Sequence, residues 1–583
     1  MTMLKDRGAV STPKNWDSID WEKVEQEVMK LQVRIAKATK QGRWNKVKSL
    51  QWLLTHYFSA KCMAVKRITT NRGKNTPGVD GVTLKGVKQK YQMIQLMNRR
   101  EYKPQPLRRI HIFKSNGKTR PLGIPVMLDR AFQALHSLSL MPVAESTADH
   151  YSYGFRPERS TADAIERIFS CTSRRFDPQW ILEGDIKGCF DNISHEWILE
   201  HVPTDRRTLQ KWLKAGFMEK AKLFPTDKGT PQGGIISPCL SNLTLDDMET
   251  VLDKEFGSSA NICGRTPYHA RKLVQQNGVK LCRYADDFIV TGTSRELLVD
   301  KVKPVIETFL RERGLELSQE KTKVTHINKG FDFLGQNVRR YNLRNGRSKL
   351  LIKPSDKNIK RFLSGVRTVI KRMATCKQEV LITWLNPMIR GWANYHRHVV
   401  SKEIFSKVDY EIWMALWCWA SRRHPNKGRK WISHKYFRQV KGLNRAFSCT
   451  TSIKNGPKQE VTLFRASTIP IVRHPQIMPE ANPFAPECDA YFERRLSNKL
   501  HHSYTGRNTL KTLTEIQTGN CPQCGNPLPV KGQKGIVNHR RGRLKGGKAN
   551  VTNLVLLHPE CHAEGHRFGF KYKLPAEVRN TSA

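Results

Sequence analysis

The chain predicts a multidomain α+β protein: a palm-type catalytic unit, an α-helical domain beside it and a small metal-stabilised module near the C-terminal end. Three observations carry this prediction. Tyr284-Ala-Asp-Asp287 sits inside the apolar run of residues 281–290; alternating apolar runs give way to aromatic-rich helical patterns after about residue 345; and Cys521-Pro-Gln-Cys524 is followed, after 33 residues, by His558-Pro-Glu-Cys561. At 583 residues the chain is long enough for several cores.

Residues 19–66 carry Trp21, Val24, Val28, Leu31 and Ile35 near helical spacing among lysines and arginines. They read as a basic helical extension, 1–66, facing RNA rather than as a catalytic unit. From 67 to 344 short apolar runs alternate with helical stretches, the order of fingers and palm. Adjacent carboxylates at a hairpin tip repel each other, so Asp286 and Asp287 make most sense with divalent cations between them and bound phosphates. A third carboxylate belongs elsewhere, and Asp185 ends the short apolar run that begins at Trp180, before a turn and a helix. Together the three aspartates suit two Mg²⁺ ions, one lowering the pKa of a primer 3′-hydroxyl and one stabilising the leaving pyrophosphate. The plain alternative has Asp185 capping a helix and Asp286-Asp287 filling a solvated turn.

The neighbouring blocks add to this pattern in order: Asn75-Thr-Pro-Gly-Val-Asp-Gly81, Gly117-Lys-Thr-Arg-Pro-Leu-Gly-Ile-Pro125, Tyr151-Ser-Tyr-Gly-Phe-Arg-Pro157, the Asp185 block, Gly229-Thr-Pro-Gln-Gly-Gly234, the Tyr284 block, Gly314-Leu-Glu-Leu-Ser-Gln-Glu-Lys-Thr322 and Phe331-Asp-Phe-Leu-Gly335. In these blocks the chain resembles the reverse transcriptases encoded by bacterial and organellar group II introns. The resemblance implies a right-hand fingers-palm reverse transcriptase with a thumb, or maturase, domain. It also implies that Phe190 gates against the ribose 2′-hydroxyl, or else is ordinary palm core, and that Gln232, Lys118 and Arg120 contact the incoming dNTP.

The helical region 345–455 matches the thumb/maturase position, with its boundary near the basic loop 339–347. Trp392, Tyr395, Trp413, Trp417 and Trp419 could stack on bases, yet aromatics at helical spacing are more often core. The better phosphate contacts are Arg390, Arg397, Arg422, Arg423, Lys427, Arg429 and Lys430. Residues 456–515 contain six prolines, at 457, 470, 475, 479, 483 and 486, and read largely as extended connection. By the resemblance this is a DNA-binding segment, with Arg494, Arg495, Lys499, His501, His502 and Arg507 as a basic face.

In residues 516–583, C-x-x-C and H-x-x-C spacing brings Cys521, Cys524, His558 and Cys561 to one tetrahedral Zn²⁺, which would stabilise a module too small for a core of its own. Asn538-His539, Gly546-Gly547, Asn553 and His562 stand among these ligands. The pattern resembles the HNH endonuclease ββα-metal module. It implies His539 as the general base, Asn553 as the residue that orients it, and His562 as a ligand of a catalytic divalent cation. Many relatives place a histidine or acidic residue before the base, where this chain has Asn538. An amide binds a divalent ion more weakly than a carboxylate, so either nicking is slow or the module is mainly a DNA-binding zinc unit.

Composition bounds the partners. Lys and Arg total 101 against 51 acidic residues, a net charge of +50; residues 351–440 alone carry 19 against 5. A long polyanion contact, steeply salt-dependent, is expected. With no apolar stretch long enough to span a bilayer and no apolar signal core at the start, the chain reads as soluble and intracellular, in a bacterial cytoplasm or an organelle. Its 13 cysteines are mostly scattered and fit reduced thiols. The implied function is that of a group II intron-encoded protein: it binds intron RNA, promotes splicing and reverse splicing, nicks target DNA and copies the intron from the nick. The rivals are a domesticated reverse transcriptase serving repair or defence, and a splicing cofactor that only binds RNA. The DNA flanking the reading frame would separate them.

Overall fold

The computed structural model describes residues 15–113, 117, 119–257, 277–343, 346–440, 442–452, 458–528, 534–570 and 572. Asp20 caps the helix Trp21–Lys40 by accepting from the backbone N–H groups of Glu22 and Lys23. Val24, Val28, Leu31 and Ile35 are buried on one face of it. With Trp44–His56 and Phe58–Thr70 this helix packs on the long helix Met127–Thr147, in the same core as the palm. The expected boundary at 66/67 therefore falls inside a helix and inside a shared core.

Strands β1 (Leu107–Phe113) and β2 (Thr119–Ile124) pair antiparallel; β3 (Trp180–Asp185) opens the palm sheet; β4 (Phe217–Glu219) and β5 (Lys222–Phe224) return to the first sheet, in the order β2-β1-β4-β5. Strands β6 (Lys280–Tyr284), β7 (Asp287–Gly292) and β8 (Lys323–His326) complete the palm in the order β6-β7-β3-β8. The near-continuous apolar run in β6 and β7 has a physical cause. Leu281, Phe288 and Val290 enter the core shared with the N-terminal helices, whereas Cys282 and Ile289 enter a second core with Tyr153, Ile165 and Ile168. A sheet covered on both faces buries side chains that point to either side, so its strands read as apolar runs rather than alternating ones.

Strands β9 (Phe331–Phe333), β10 (Gln336–Asn342) and β11 (Ser348–Pro354) form a separate sheet, ordered β11-β10-β9. Arg339 and Arg340, expected in a boundary loop, lie within β10. The helices Asp356–Arg372, Gln378–His396, Lys402–Arg423 and Arg429–Tyr436 then pack about one core. The expected helical dominance ends at Tyr436, because β12 (Phe437–Val440), β13 (Leu443–Ser452) and β14 (Lys458–Thr462) form a sheet against that core. Their polar run Ser448-Cys-Thr-Thr-Ser452 lacks the apolar alternation that announces a strand.

The extended reading of 456–515 fits only the stretch around residues 469–485. The helices Asp489–His502 and Tyr504–Ile516 follow it. The C-terminal module is β15 (Ile536–His539), β16 (Leu554–Leu557) and the helix Pro559–Phe568, a ββα unit. No helix among the described residues is long and apolar enough to cross a membrane.

Candidate active sites

In the palm, the two-residue turn Ala285-Asp286 joins β6 to β7, with Tyr284 opposite Asp287. Across the sheet Asp185 stands in register with Asp287, so three carboxylates from two neighbouring strand ends share one edge. Ala285 takes a positive φ of 58°. The turn is cradled by residues 151–154: Tyr153 N–H donates to Arg283 O at 2.9 Å and Arg283 N–H to Tyr151 O at 3.0 Å. A Cβ on Gly154 would lie 2.3 Å from Ala285 N, which explains the glycine of that block. Below the turn the fully buried Arg283 pairs with Asp246 at 2.5 Å.

Asp287, although open to solvent, has its carboxyl pushed up to about 6 by partial desolvation and then by the charges of Asp286 and Asp185, with Lys321 opposing. Lys321 Nζ donates to both oxygens of Asp185, at 3.0 and 2.9 Å, and that contact raises its own pKa. Lys321 belongs to the block of residues 314–322. As a lone lysine in a turn before β8, it gives no sign in the sequence of the carboxylate it meets.

Phe190 lies in the short helix Cys189–Asn192, is buried, and meets Phe155 edge to face with ring centroids 6.5 Å apart. Its carbonyl accepts from Thr230 N–H at 2.6 Å, and Gly229 N–H donates to Ile193 O at 2.8 Å. The Gly229–Gly234 block is thereby sewn beside the Asp185 turn. Arg120 on β2 donates through Nε to Gln232 Oε1 at 2.6 Å, so two residues expected at the nucleotide are already paired. Lys118 lies outside the described residues.

In the helical domain Arg367, Lys371, Arg422 and Arg423 line a groove of about 720 Å³ between the helices Asp356–Arg372 and Lys402–Arg423. Arg390, Arg422, Lys427, Arg429 and Lys430 are exposed. Arg423 and Arg397 are partly spent inside the fold: Arg423 donates to Ala374 O and Cys376 O, and Arg397 to His502 O. The aromatics divide. Trp419 is core, Trp392 stacks on Phe362 and donates to Asn358, and Trp413 stacks on Trp417 beside Phe437. Tyr395 keeps an exposed ring but donates to Leu334 O. In the 494–507 segment Arg495 is likewise turned inward, onto buried Asp163 at 2.6 Å.

The C-terminal module takes part in two ligand clusters, the two groups of this kind among the described residues in which all ligand atoms lie within 4.8 Å of one another. The first is Cys521, Cys524, His558 and Cys561. His558 Nε2 faces Pro527 O at 3.1 Å and its Nδ1 faces Cys524 Sγ at 3.3 Å. A proton held on Nε2 leaves the Nδ1 lone pair for a metal, a donor set that fits tetrahedral zinc.

The second cluster is Glu493, His562 and His566. Glu493 Oε1 accepts from His539, through ring Nδ1 at 3.0 Å and the backbone N–H at 3.2 Å. Its Oε2 faces His562 Nε2 at 3.0 Å and His566 Nε2 at 2.7 Å. Burial would raise this carboxyl, but those contacts hold it well below the usual range. Asn553 turns to the loop: Oδ1 accepts from Arg541 N–H at 2.9 Å, and Nδ2 donates to Arg541 O and Lys548 O. Asn538 is buried and its amide nitrogen bonds the Tyr572 hydroxyl. Sequence reasoning missed His566, although an i, i+4 pair with His562 was visible, and missed Glu493, which lies 69 residues from His562.

A carboxylate-bearing palm hairpin, a basic helical domain and a Cys/His module with a second imidazole cluster define a nucleic-acid polymerase that carries a nuclease. Comparison makes the class particular. Residues 112–338 match the family described as reverse transcriptase (RNA-dependent DNA polymerase), 16–97 the N-terminal domain of reverse transcriptase, 359–437 the group II intron maturase-specific domain and 521–568 the HNH endonuclease. Protein YkfC of Escherichia coli (strain K12) is 34% identical over 336 residues, covering 52% of this chain and 87% of that protein. Group II intron-encoded protein LtrA of Lactococcus lactis subsp. cremoris is 29% identical over 414 residues, 57% of this chain and 68% of LtrA. The chain belongs to the family of group II intron-encoded reverse transcriptases and maturases with an HNH endonuclease. It is an RNA-directed DNA polymerase with maturase and endonuclease functions, uses divalent metal and binds RNA.

Proposed function

We propose that this protein nicks a DNA target and extends the resulting 3′ end by copying its intron RNA, so that the two activities are consecutive steps on one substrate. The supporting observation is that the nuclease module is docked on the polymerase. Arg541 pairs with Glu22 at 2.6 Å and Lys548 with Glu25 at 3.4 Å, both on the helix Trp21–Lys40. A Cβ on Gly546 would lie 2.9 Å from Gln26 N. A nick made at one face is presented to the same molecule's palm, an effective-concentration advantage.

In this reading Asp185, Asp286 and Asp287 hold two Mg²⁺ ions, which would supply activation of the primer hydroxyl and charge neutralisation at the leaving pyrophosphate. The crowding of negative charge around Asp287 fits cation binding. Arg120 and Gln232 orient the dNTP, and Phe190 fills the space beside its sugar. His539 takes the proton of the attacking water and Asn553 fixes the loop that follows it. Cys521, Cys524, His558 and Cys561 hold a structural zinc, and the exposed arginines and lysines of the 345–455 domain hold intron RNA. Residues 15–66 belong with the fingers and palm of 67–344, while 458–515 joins the thumb to the module of 516–583.

Target DNA labelled on the nicked strand, incubated with the intron ribonucleoprotein and dNTPs, tests the coupling. The labelled strand should first shorten and then lengthen. His539→Ala should do neither, yet should extend a pre-nicked target; Asp286→Asn should nick without extension. Extension of pre-nicked DNA only, by the unaltered protein, would refute the coupling.

A further inference from the structure

We infer that Glu493, outside the HNH module, is a ligand of the endonuclease cation and supplies the anionic group that Asn538 does not. The inference rests on the endonuclease reading and extends it to a residue in the preceding helix. Glu493, His562 and His566 place three ligand atoms within 4.8 Å of one another. A carboxylate with two neutral imidazoles is a donor set for a divalent cation with positions left for water and phosphate. A deeply buried carboxylate persists only where it is paired or coordinates a metal, and three imidazoles on one carboxylate are the donors either arrangement requires. Glu493 is 3% exposed, and His562 2%.

Its position is built rather than accidental. Glu493, Ser497 and His501, spaced by four on one helix, meet alternate residues of β15 and the residue just before it in antiparallel order. Glu493 accepts from His539 N–H, Ser497 Oγ accepts from Val537 N–H at 2.7 Å, and His501 Nε2 faces Gly535 O at 2.8 Å. Four helical residues rise about 6 Å and two strand residues about 6.6 Å, so the two repeats match over this length. β15 pairs with β16 on one side only, and the helix covers its other edge. That ladder fixes the Glu493 carboxylate beside the base. Asn538, one residue before His539, has its amide nitrogen engaged by Tyr572.

The test uses the full chain with Asp286→Asn and Asp287→Asn, which removes the palm's cation site, and follows bound Mn²⁺ by electron paramagnetic resonance, with zinc content as the folding control. One tight Mn²⁺ should bind. Because loss of an outer-shell partner alone costs metal sites about 10–100-fold in affinity, Glu493→Gln and His562→Ala should each weaken Mn²⁺ at least tenfold with zinc retained. Should Glu493→Gln lose zinc, Glu493→Asp decides, since it keeps the charge and should bind Mn²⁺ more weakly than Glu493 but more tightly than His562→Ala. Adding Asn538→Asp to Glu493→Gln should restore part of the affinity. Unchanged Mn²⁺ affinity in folded Glu493→Gln, or in folded Glu493→Asp where that variant decides, overturns the inference, and faster nicking in either would mark Glu493 as a cover over His539 instead. If the parent binds Mn²⁺ through Glu493 but never nicks DNA, the endonuclease reading fails while the ligand assignment stands.

Discussion

Lys321 holds Asp185 by both carboxylate oxygens, at 3.0 and 2.9 Å, which sets a positive charge beside the three palm carboxylates. An exposed pair of this kind contributes little stability, and a divalent ion competes with it directly. Asp286→Asn keeps the shape of the turn but removes a charge from the cluster. Primer extension should be lost, while filter binding of RNA, which depends on dispersed basic residues, should be nearly unchanged. Full extension by the variant would contradict the metal assignment.

Phe190 is buried against Phe155 with its backbone pinned by Thr230, so its ring has little room to move aside. Phe190→Val should open space beside the sugar and admit ribonucleotides. Pockets that reject a single hydroxyl by shape discriminate about 100-fold, and the selectivity ratio from single-nucleotide extension should fall by about that factor. An unchanged ratio in a folded variant would return Phe190 to the core.

The helical domain separates two kinds of arginine. Changing the exposed Arg422, Lys427 and Lys430 together to Ala should weaken intron RNA binding and make the log–log salt slope shallower by about 2 to 3. Extension on a short generic primer-template should change much less. Arg423→Ala removes donors to Ala374 O and Cys376 O and should lower the melting temperature. A slope unaffected by the triple change would place the RNA elsewhere.

Buried histidines set an acid limit. Burial lowers His136 to about 4, His396 to about 3 and His398 to about 4, from an ordinary 6.5. Below pH 6.5 the unfolded chain takes up protons that the folded chain refuses. Stability is therefore intact above that value and falls as pH drops toward 4, by roughly 1.4 kcal/mol per pH unit for each fully buried ring. Urea denaturation at pH 7.5 and 5.5 should show the loss, and His396→Gln should flatten the dependence. Greater stability at pH 5.5 would mean these rings are charged in the fold.

Zinc and nuclease chemistry should come apart on substitution. Cys521→Ser removes a buried ligand and should abolish bound zinc, unfold the module and stop nicking. His539→Ala should keep zinc and DNA affinity and lose only nicking. Elemental analysis with a nicking assay reads both, and normal nicking by His539→Ala would contradict the assignment of the base.

The palm was legible because its chemistry is local. Asp185, Asp286 and Asp287 lie in apolar runs whose strand pairing follows from the pattern, and Cys521-x-x-Cys524 with His558-x-x-Cys561 states its own geometry. Lys321 and Glu493 were not legible, since each reaches its partner through tertiary packing. The three-stranded sheet after Tyr436 was hidden because its threonine- and serine-rich strand is held by backbone ladders against a core. The division of Arg422 from Arg423 was equally invisible, because adjacent helical residues look alike until their neighbours are known.

Gly546 seated on Gln26, with Arg541 and Lys548 on Glu22 and Glu25, closes the described chain into a ring in which its first helix meets its last module. A ring has no cassette end. Grafting residues 521–568 onto another polymerase would leave behind both the seat at Gln26 and the carboxylate of Glu493, whereas two co-expressed fragments cut within the proline-rich stretch near residue 475 should still reassemble through those surfaces. Exchange of nuclease modules between such proteins is thus constrained at the helix Trp21–Lys40 as well as within the module itself.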